Sequence, residues 1–579
     1  MRYVALAADY DGTLASNGQV APGTVGALRR LAASGRKLVL VTGRELDELL
    51  ALFPEIDVFD RVVAENGALL YCPATRQQKA LGGPPPFAFV RELKRRGVEP
   101  LAVGKTIVAT VHPNETLVLE VIRELGLELQ LIFNKGAVMV LPASVNKATG
   151  LAAALRDLGL SPRNVVAIGD AENDHALLRS VEYGVAVANA VPMLQRDADR
   201  TSNRDHGDAV VELVDQLIAD DLKAIEPPVP RRRILLGTRE DGREVHLPPG
   251  RTSLLIAGSS GSGKSTLATG VLERLCAEGY QFCVIDPEGD YDELADAIVF
   301  GSADRGPTPA EILTAVGKPE ANVVVNLIGV PLADRPAFFL GLLPRLQELR
   351  AKTGRPHWVL VDETHHLMPR EWHPTAAVLN PGLTGMIYVT VHPDRIAAPV
   401  LQSVGTIAAL GEAPETTMRN FAAAAGLAAP AIDGVRLAPR EALVWAGTGT
   451  QPVRITISPS DTERRRHRRK YAEGELPPDR SFYFRGPHEK LKLRARNLVQ
   501  FLQLADGIDD ETWLHHLRRG DYSRWMRSCI KDDALGDEVE AIERDESPTA
   551  EESRTRIKAA VEERYTMPAE GAEAADLRR

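Results

Sequence analysis

Short runs of Val, Leu, Ile and Ala, each closed by a cluster of polar residues, alternate with amphipathic stretches through the first 222 residues. "YVALAAD", "KLVLVTGR" and "NVVAIGDAEND" carry apolar side chains at consecutive positions rather than at every second one. Such runs predict strands buried on both faces, as in a parallel sheet with helical crossovers. Ligands of such open sheets sit beyond the carboxyl ends of the strands, and here the polar residues gather at that edge. "GGPPP" at 82–86 interrupts the pattern. From Phe87 to about Ala143 the sequence predicts a helix, the strand "TIVATV", the helix "NETLVLEVIRELG", and two strands around "LQLIF" and "AVMVL". This is a small α/β insert between the second and third core motifs.

"IEPPVPRRR" at 225–233 predicts a linker, since prolines discourage regular structure. A second α/β block follows to about residue 460, then the basic run "ERRRHRRK" at 463–470 and a mainly helical stretch. The expected boundaries are 1–81 with 144–222 for the first core, 82–143 for the insert and 223–232 for the linker. Residues 233–460 form the second α/β domain, 461–535 a basic helical module and 536–579 an acidic tail. The tail has few large apolar residues and either holds a helix around 551–564 or is disordered.

A chain of 579 residues suggests roughly three or four domains. The net charge of -10 argues against a protein that coats nucleic acid nonspecifically, though not against a locally basic channel. Cys72, Cys276, Cys283 and Cys529 form no CxxC pair, so neither a disulfide framework nor a structural zinc site is expected. No apolar run is long enough to span a membrane, and "MRYVALAADYDG" meets an aspartate before a signal-peptide core could form. The expectation is a soluble, cytoplasmic protein without a membrane partner.

Chemistry enters with "ALAADYDGTLAS". A calcium loop is excluded, because Thr13 and Val20 stand where an EF-hand needs its fifth and twelfth ligands. A plain polar turn stays open for Asp9-Tyr10-Asp11 taken alone. Three further pieces change that: Thr42 ending "KLVLVTGR", Lys147 opening "NKATGLAAAL", and Asp170 and Asp174 in "GDAENDHALL". A nucleophilic carboxylate, a hydroxyl, a lysine and more carboxylates are what phosphoryl transfer through an aspartyl-phosphate requires. Carboxylate can attack phosphorus only when charge on both partners is neutralised, which Mg2+ and a placed lysine would do.

These four pieces resemble the four motifs of the haloacid dehalogenase phosphatases. Their order and the insert position resemble the Cof-like branch, which includes sugar-phosphate and phosphoglycolate phosphatases. The likeness covers roughly residues 1 to 222. It implies a doubly wound α/β core, Asp9 as nucleophile, and Asp11 as general acid and then base. Thr42 and Lys147 would hold the phosphoryl group. Asp170 would bind magnesium with Asp9 and the Asp11 carbonyl, and Asp174 would assist with Asn173 close by. Asp174 can also be read as a helix-start residue favoured by the dipole. The insert at 82–143 would be a cap, short enough for a small substrate or one end of a larger molecule.

"LLIAGSSGSGKSTLATGVL" fits the phosphate-binding pattern G-x-x-x-x-G-K-[ST], with "SLLIA" as a strand before it and "STLATGVLERL" as a helix after it. The cradle would be Gly258, Ser259, Ser260, Gly261, Ser262, Gly263, Lys264, Ser265 and Thr266. Lys264 would reach the β and γ phosphates of ATP, with Ser265 on its magnesium. "RPHWVLVDETHHLMP" adds a strand ending in Asp362, which would support the magnesium, and Glu363, which would polarise water. His365 and His366 suggest zinc, but no third ligand stands at a suitable spacing, so local structural or coupling roles are favoured.

Together with Asp286 in "FCVIDPEGDYDEL" and Thr390 in "GMIYVTVHPDRI", these pieces resemble the HerA–FtsK group of ring-forming ATPases over about 233–455. The group usually follows that Thr with Gln; here Val391 and His392 stand there. The resemblance implies a RecA-like fold and a homo-oligomer, most simply a hexamer, with DNA as a partner. An arginine finger supplied in trans is expected, because none lies beside "VDETHHLMP" before Arg370. Arg395 and Arg419 are its candidates, and surface charge is the plain reading of each. In the last module Trp513, Tyr522 and Trp525 alternate with Arg518, Arg519, Arg524 and Arg527. Amphipathic helices with a buried aromatic face are favoured over a nucleic-acid surface.

The sequence therefore predicts a Mg2+-dependent phosphomonoesterase joined to a HerA-like ATPase, acting on a phosphorylated small molecule or nucleic-acid end. Two alternatives are a DNA translocase whose phosphatase trims nucleic acid, and a polynucleotide kinase-phosphatase. The Asp362-Glu363 pair favours hydrolysis by water over the kinase.

Overall fold

A computed structural model describes residues 1–225, 232–372, 384–460 and 476–565, apart from 250, 251, 260, 433, 448, 477–480, 488, 490, 531 and 546–548. Ser260, most of the expected linker, the basic run 463–470 and the last fourteen residues lie outside the described residues. Two compact units are resolved, Met1–Ser458 and Pro459–Arg579.

Among its described residues the first unit carries two large sheets, the small sheet of the insert and a two-stranded hairpin, Ala15–Ser16 with Gln19–Val20. One has eight strands in the order Arg200–Thr201, Tyr183–Ala186, Val165–Gly169, Ala5–Asp9, Lys37–Val41, Arg61–Ala64, Leu69–Cys72 and Gln77–Ala80. The first six run parallel, and the last two join by antiparallel pairing. Ala5–Asp9 is buried at every position because it lies between Val165–Gly169 and Lys37–Val41, with helices covering both faces. Asp9 pairs in register with Val41, so the Asp9–Asp11 turn and Thr42 emerge side by side. The helix Lys147–Leu158 begins where Asn146 accepts the Thr149 N–H, and ends at the left-handed Gly159.

The insert is a four-stranded antiparallel sheet, in the order Leu129–Asn134, Ala137–Pro142, Val108–Val111, Ala102–Val103. Helices Phe87–Arg95 and Glu115–Glu124 cover one face through Phe89, Leu93, Val118, Val121 and Ile122. On the other side Ile107, Met139 and Leu141 pack with Ala68 of the core. Glu65 fixes this docking: its buried carboxylate accepts the N–H groups of Lys105 (3.1 Å), Thr106 (2.7 Å) and Ile107 (3.2 Å).

The second sheet has eleven strands. Its parallel centre places Leu254–Gly258 between Thr406–Leu410 and Met386–Thr390, followed by Trp358–Val361, Phe282–Asp286, Asn322–Asn326 and Ala297–Phe300. Antiparallel strands Glu441–Trp445, Val453–Ile457, Ile234–Thr238 and Glu244–Leu247 extend the other edge.

The two sheets meet through the residues that precede their strands. Asn164, just before Val165–Gly169, donates to the Gly354 carbonyl (3.2 Å) and pairs with His357 Nε2 (3.0 Å), just before Trp358–Val361. Arg355 donates to the Gly159 carbonyl (2.9 Å), and the Tyr280 hydroxyl donates to the Glu182 carboxylate (2.9 Å). The carboxyl ends of both sheets, where chemistry gathers, lie at the opposite ends of these strands.

The second unit pairs a hairpin, Phe482–Phe484 with Leu493–Ala495, against helices that include Leu498–Gly507, Asp510–Arg518, Asp533–Arg544 and Ala550–Tyr565. Its core holds Phe482, Phe484, Phe501, Trp513, Tyr522 and Trp525, and Trp513 stacks on Tyr522 at 4.5 Å. These rings are occupied with one another, so they offer no platform for bases. The expected boundary at 535/536 is corrected: the helix Asp533–Arg544 runs across it. The stretch expected at 551–564 is helical, and Ile557, Ala560 and Val561 enter the core. Among the described residues no helix is long and apolar enough to cross a membrane.

Candidate active sites

At the carboxyl edge of the first sheet, Lys147 Nζ donates to Asp9 Oδ1 (2.6 Å) and Asp174 Oδ1 (2.7 Å), all three buried. Asp170 joins Asp9 and Asp174, with carboxylate oxygens of the three within 4.8 Å of one another. Burial raises the Asp9 pKa well above the usual range, and Asp174 raises it further while Lys147 opposes. Asp170 is raised by burial too, against its bond from Lys135. Burial alone would lower Lys147, but Asp174 and Asp9 outweigh it and keep the ammonium charged.

Asp174 does more than begin a helix. Its Oδ2 accepts the N–H groups of Asp170 and Ala171 (3.0 Å each), folding the loop back so that Asp170 faces Asp9. Gly12 stands at φ +82°, and a Cβ there would overlap the Asp170 carboxylate. The Gly12 carbonyl is held by Asn189 Nδ2 (2.8 Å) and His206 Nδ1 (2.9 Å). Thr42 is buried, and its hydroxyl accepts the Arg44 N–H (3.1 Å).

Two cations here have no forecast in the motifs. Arg44 grips Asp11 with two bonds, Nε to Oδ2 (2.6 Å) and Nη2 to Oδ1 (2.8 Å), and also pairs with Glu48. It stands two residues after Thr42, and that adjacency is its only sequence signal. Lys135, at the tip of the cap hairpin, reaches down to Asp170. Nothing near Lys135 in sequence marks it. Asn173 Nδ2 bonds Asn66 Oδ1 (3.0 Å), leaving the Asn66 amide nitrogen buried and unpartnered.

At the second sheet, the left-handed Gly263 (φ +95°) starts the helix Lys264–Ala277, and a Cβ at Gly258 would overlap the Leu410 carbonyl. Lys264 Nζ rests on the Ser259 carbonyl (2.9 Å), with its pKa lowered by burial against the pull of Glu363 and Asp362. Gly261, Ser262, Ser265 and Thr266 stand around the same turn, and the Ser262 hydroxyl is buried without a partner. Asp362 ends its strand with a pKa pushed up to about 8 by burial, and Glu363 is raised by burial as well. Asp286, by contrast, caps its own loop, accepting Gly289 N–H (2.8 Å) and Tyr291 N–H (2.8 Å).

The spacing argument against a third ligand for His365 and His366 is corrected. Glu363 stands at φ +42°, and its Oε2 comes within 3.3 Å of His365 Nδ1. His365 Nδ1 also lies 3.1 Å from the Thr390 hydroxyl. Arg395 is exposed and close enough to weaken His365 as a base, whereas Arg419 pairs with Glu415 of its own helix.

Residues 6–81 and 117–214 match the haloacid dehalogenase-like hydrolase family, and residues 251–334 match the central domain of helicase HerA. A phosphoglycolate phosphatase of Methanothermobacter thermautotrophicus is 31% identical over 220 residues, 36% of this chain and 96% of that protein. The chain belongs to the haloacid dehalogenase-like hydrolases. A second relative of this hydrolase, the phosphoglycolate phosphatase of Haloarcula marismortui, is 29% identical over 218 residues, 36% of this chain and 95% of that protein. Among solved structures, a haloacid dehalogenase-like hydrolase from Bacteroides thetaiotaomicron aligns with TM-score 0.33 and 19% identity over 37% of this chain and 99% of that one. As a haloacid dehalogenase-like hydrolase with a HerA-like domain, the chain is a phosphatase and an ATPase.

Proposed function

We infer that the first domain hydrolyses a small phosphomonoester that carries a second negative charge. The observation that carries this reading is the buried Asp9–Lys147–Asp174 chain at the strand ends, with the cations Lys135 and Arg44 above it. The Asp9 carboxylate attacks phosphorus, the bond to the leaving oxygen breaks, and Asp11 gives that oxygen its proton. Asp11 then takes a proton from water, whose oxygen attacks the aspartyl-phosphate and returns Asp9 with inorganic phosphate. Lys147 and Thr42 hold the phosphoryl oxygens. Arg44 must leave Asp11 before Asp11 can carry a proton, and the substrate's second anion gives it somewhere to go.

The acidic cluster fits magnesium: its donors are all carboxylate or carbonyl oxygen, and the missing side chain at Gly12 lets the Asp170 carboxylate stand against the Asp9–Asp11 turn. Asp9, Asp170 and the Asp11 carbonyl would hold it, with Asp174 setting the loop. When bound, it offsets the negative charge gathering on the transferring group. The relatives' name, phosphoglycolate phosphatase, agrees with a small acidic substrate. A screen of phosphoglycolate, sugar phosphates, nucleotides and 3′- or 5′-phosphorylated DNA tests this. Turnover confined to DNA ends would overturn it and favour the nucleic-acid reading.

For the second domain we read ATP hydrolysis with Gly258, Ser259, Ser260, Gly261, Ser262, Gly263, Lys264, Ser265 and Thr266 around the phosphates. Asp362 and Ser265 serve the nucleotide's magnesium, and Glu363 orients water. Lys264→Ala should lose ATP binding, and Glu363→Gln should bind ATP but turn it over at least tenfold more slowly. A parent rate in Glu363→Gln removes that role. The domain works in a closed ring, most simply a cytoplasmic hexamer, with Arg395 as the finger that reaches a neighbour. Native mass measurement with ATP checks this, and a monomer with full ATPase activity defeats it.

A further inference from the structure

Glu363, His365 and His366 lie within about one turn of chain; a regular helix would set His366 on the face of Glu363 but turn His365, two places on, to the opposite side. The left-handed backbone at Glu363, just before the short helix Thr364–Leu367, brings them together. Their donor atoms all lie within 4.8 Å of one another. Glu363 Oε2 and His365 Nδ1 are 3.3 Å apart. Metal–ligand distances of about 2.0–2.1 Å on a tetrahedron put donor atoms roughly 3.4 Å apart, so this pair already stands on a zinc edge. The His365 and His366 rings are 4.1 Å apart, and exposed His366 can close the remaining gap by turning. Two imidazoles and one carboxylate suit zinc better than magnesium, which takes oxygen. Three protein ligands leave a fourth position for water.

We propose that Glu363, His365 and His366 bind a zinc-class transition-metal ion, and that this ion stops ATP hydrolysis by claiming the Glu363 carboxylate. Binding follows from the three side chains alone. The inhibitory half rests on the reading of Glu363 as the residue that orients water. Magnesium at Asp362 and zinc at Glu363 use neighbouring but different carboxylates, so nucleotide can stay bound while turnover stops. Thr390 gives up its contact with His365 Nδ1 (3.1 Å) when that nitrogen turns to the metal, and its hydroxyl keeps the His392 N–H (3.0 Å).

The full chain, stripped of metal and without ATP, is titrated with Co2+ as a coloured substitute and then with Zn2+. One equivalent should give the visible absorption of tetrahedral cobalt and be displaced by zinc. His366→Ala and His366→Gln should each weaken binding at least tenfold, with phosphatase turnover measured without zinc reporting that they are folded. Zinc at about ten times its wild-type Kd, in constant excess magnesium, should lower wild-type ATP turnover about tenfold and that of each variant no more than about twofold. Each protein is compared with itself with and without zinc. Cobalt binding that is equally tight in both variants overturns the site. Binding that depends on His366 while ATP turnover is untouched overturns the inhibitory half and with it the assignment of Glu363.

Discussion

Gly12 shows how little freedom a single residue has at the phosphatase edge. Its φ of +82° suits glycine, and the Asp170 carboxylate occupies the place its side chain would take. Gly12→Ala should therefore lower phosphatase turnover at least a hundredfold in a protein that keeps its ATPase activity. Normal turnover would remove this close approach from the mechanism. Asp9→Asn keeps the shape and loses the nucleophile, so phosphatase activity should vanish while ATP hydrolysis survives. Lys135 acts differently, because it descends from the cap and can leave Asp170 for a substrate anion. Lys135→Ala should raise KM for phosphoglycolate roughly tenfold or more and change KM for p-nitrophenyl phosphate, which has no second anion, less than threefold. Equal effects on both would make Lys135 a support for the site rather than a selector.

At the scale of elements, one core carboxylate gathers three backbone bonds from the cap, beside the apolar packing of Ile107, Met139 and Leu141 and the reach of Lys135 to Asp170. Glu65 accepts three cap N–H groups, and an amide at that position offers one oxygen where the carboxylate offers two. Hydrogen bonds to a buried charge are worth about 1.5–3 kcal/mol each. Glu65→Gln should speed hydrogen exchange at Lys105, Thr106 and Ile107 by at least tenfold and lower kcat. Unchanged protection there would show that apolar packing around Met139 and Leu141 suffices. This latch was not legible in the sequence, because Glu65 and its partners are some forty residues apart and none belongs to a periodic pattern. The same holds for Arg44 on Asp11. The edge strand Gln77–Ala80 was equally silent: Gln77, Gln78 and Lys79 are polar, all four residues are exposed, and only pairing with Leu69–Cys72 makes it a strand. What was legible depended on burial. Ala5–Asp9, Lys37–Val41 and Val165–Gly169 need continuous apolar runs because both their faces are covered, and their polar ends mark the site. The cap's helix–strand–helix–hairpin order could be read because each element has one apolar face. Asp362-Glu363 could be read as a pair, but the left-handed turn that sends Glu363 toward His365 could not.

In the molecule as a whole, the phosphatase and ATPase sheets touch by the residues preceding their strands. His357 is the titratable centre of the seam. Its Nδ1 accepts the Gln281 N–H (2.8 Å) and its Nε2 pairs with Asn164 Oδ1 (3.0 Å), an arrangement that requires the neutral ring. Burial holds its pKa well below the ordinary value, and Arg355, Arg350, Arg163 and Arg2 push it further the same way. A group whose folded pKa is depressed takes its proton first in the opened state. The seam is thus at full strength above the unfolded histidine pKa of about 6.5 and weakens as pH falls below it, by up to about 1.4 kcal/mol per unit. Hydrogen exchange at the Gln281 amide, corrected for its intrinsic pH dependence, should lose protection by about fivefold between pH 6.5 and 5.5. In His357→Gln, which can still accept and donate but cannot be protonated, that loss should shrink below twofold. A pH slope that survives the substitution would assign the acid sensitivity elsewhere and leave the seam without a proton switch.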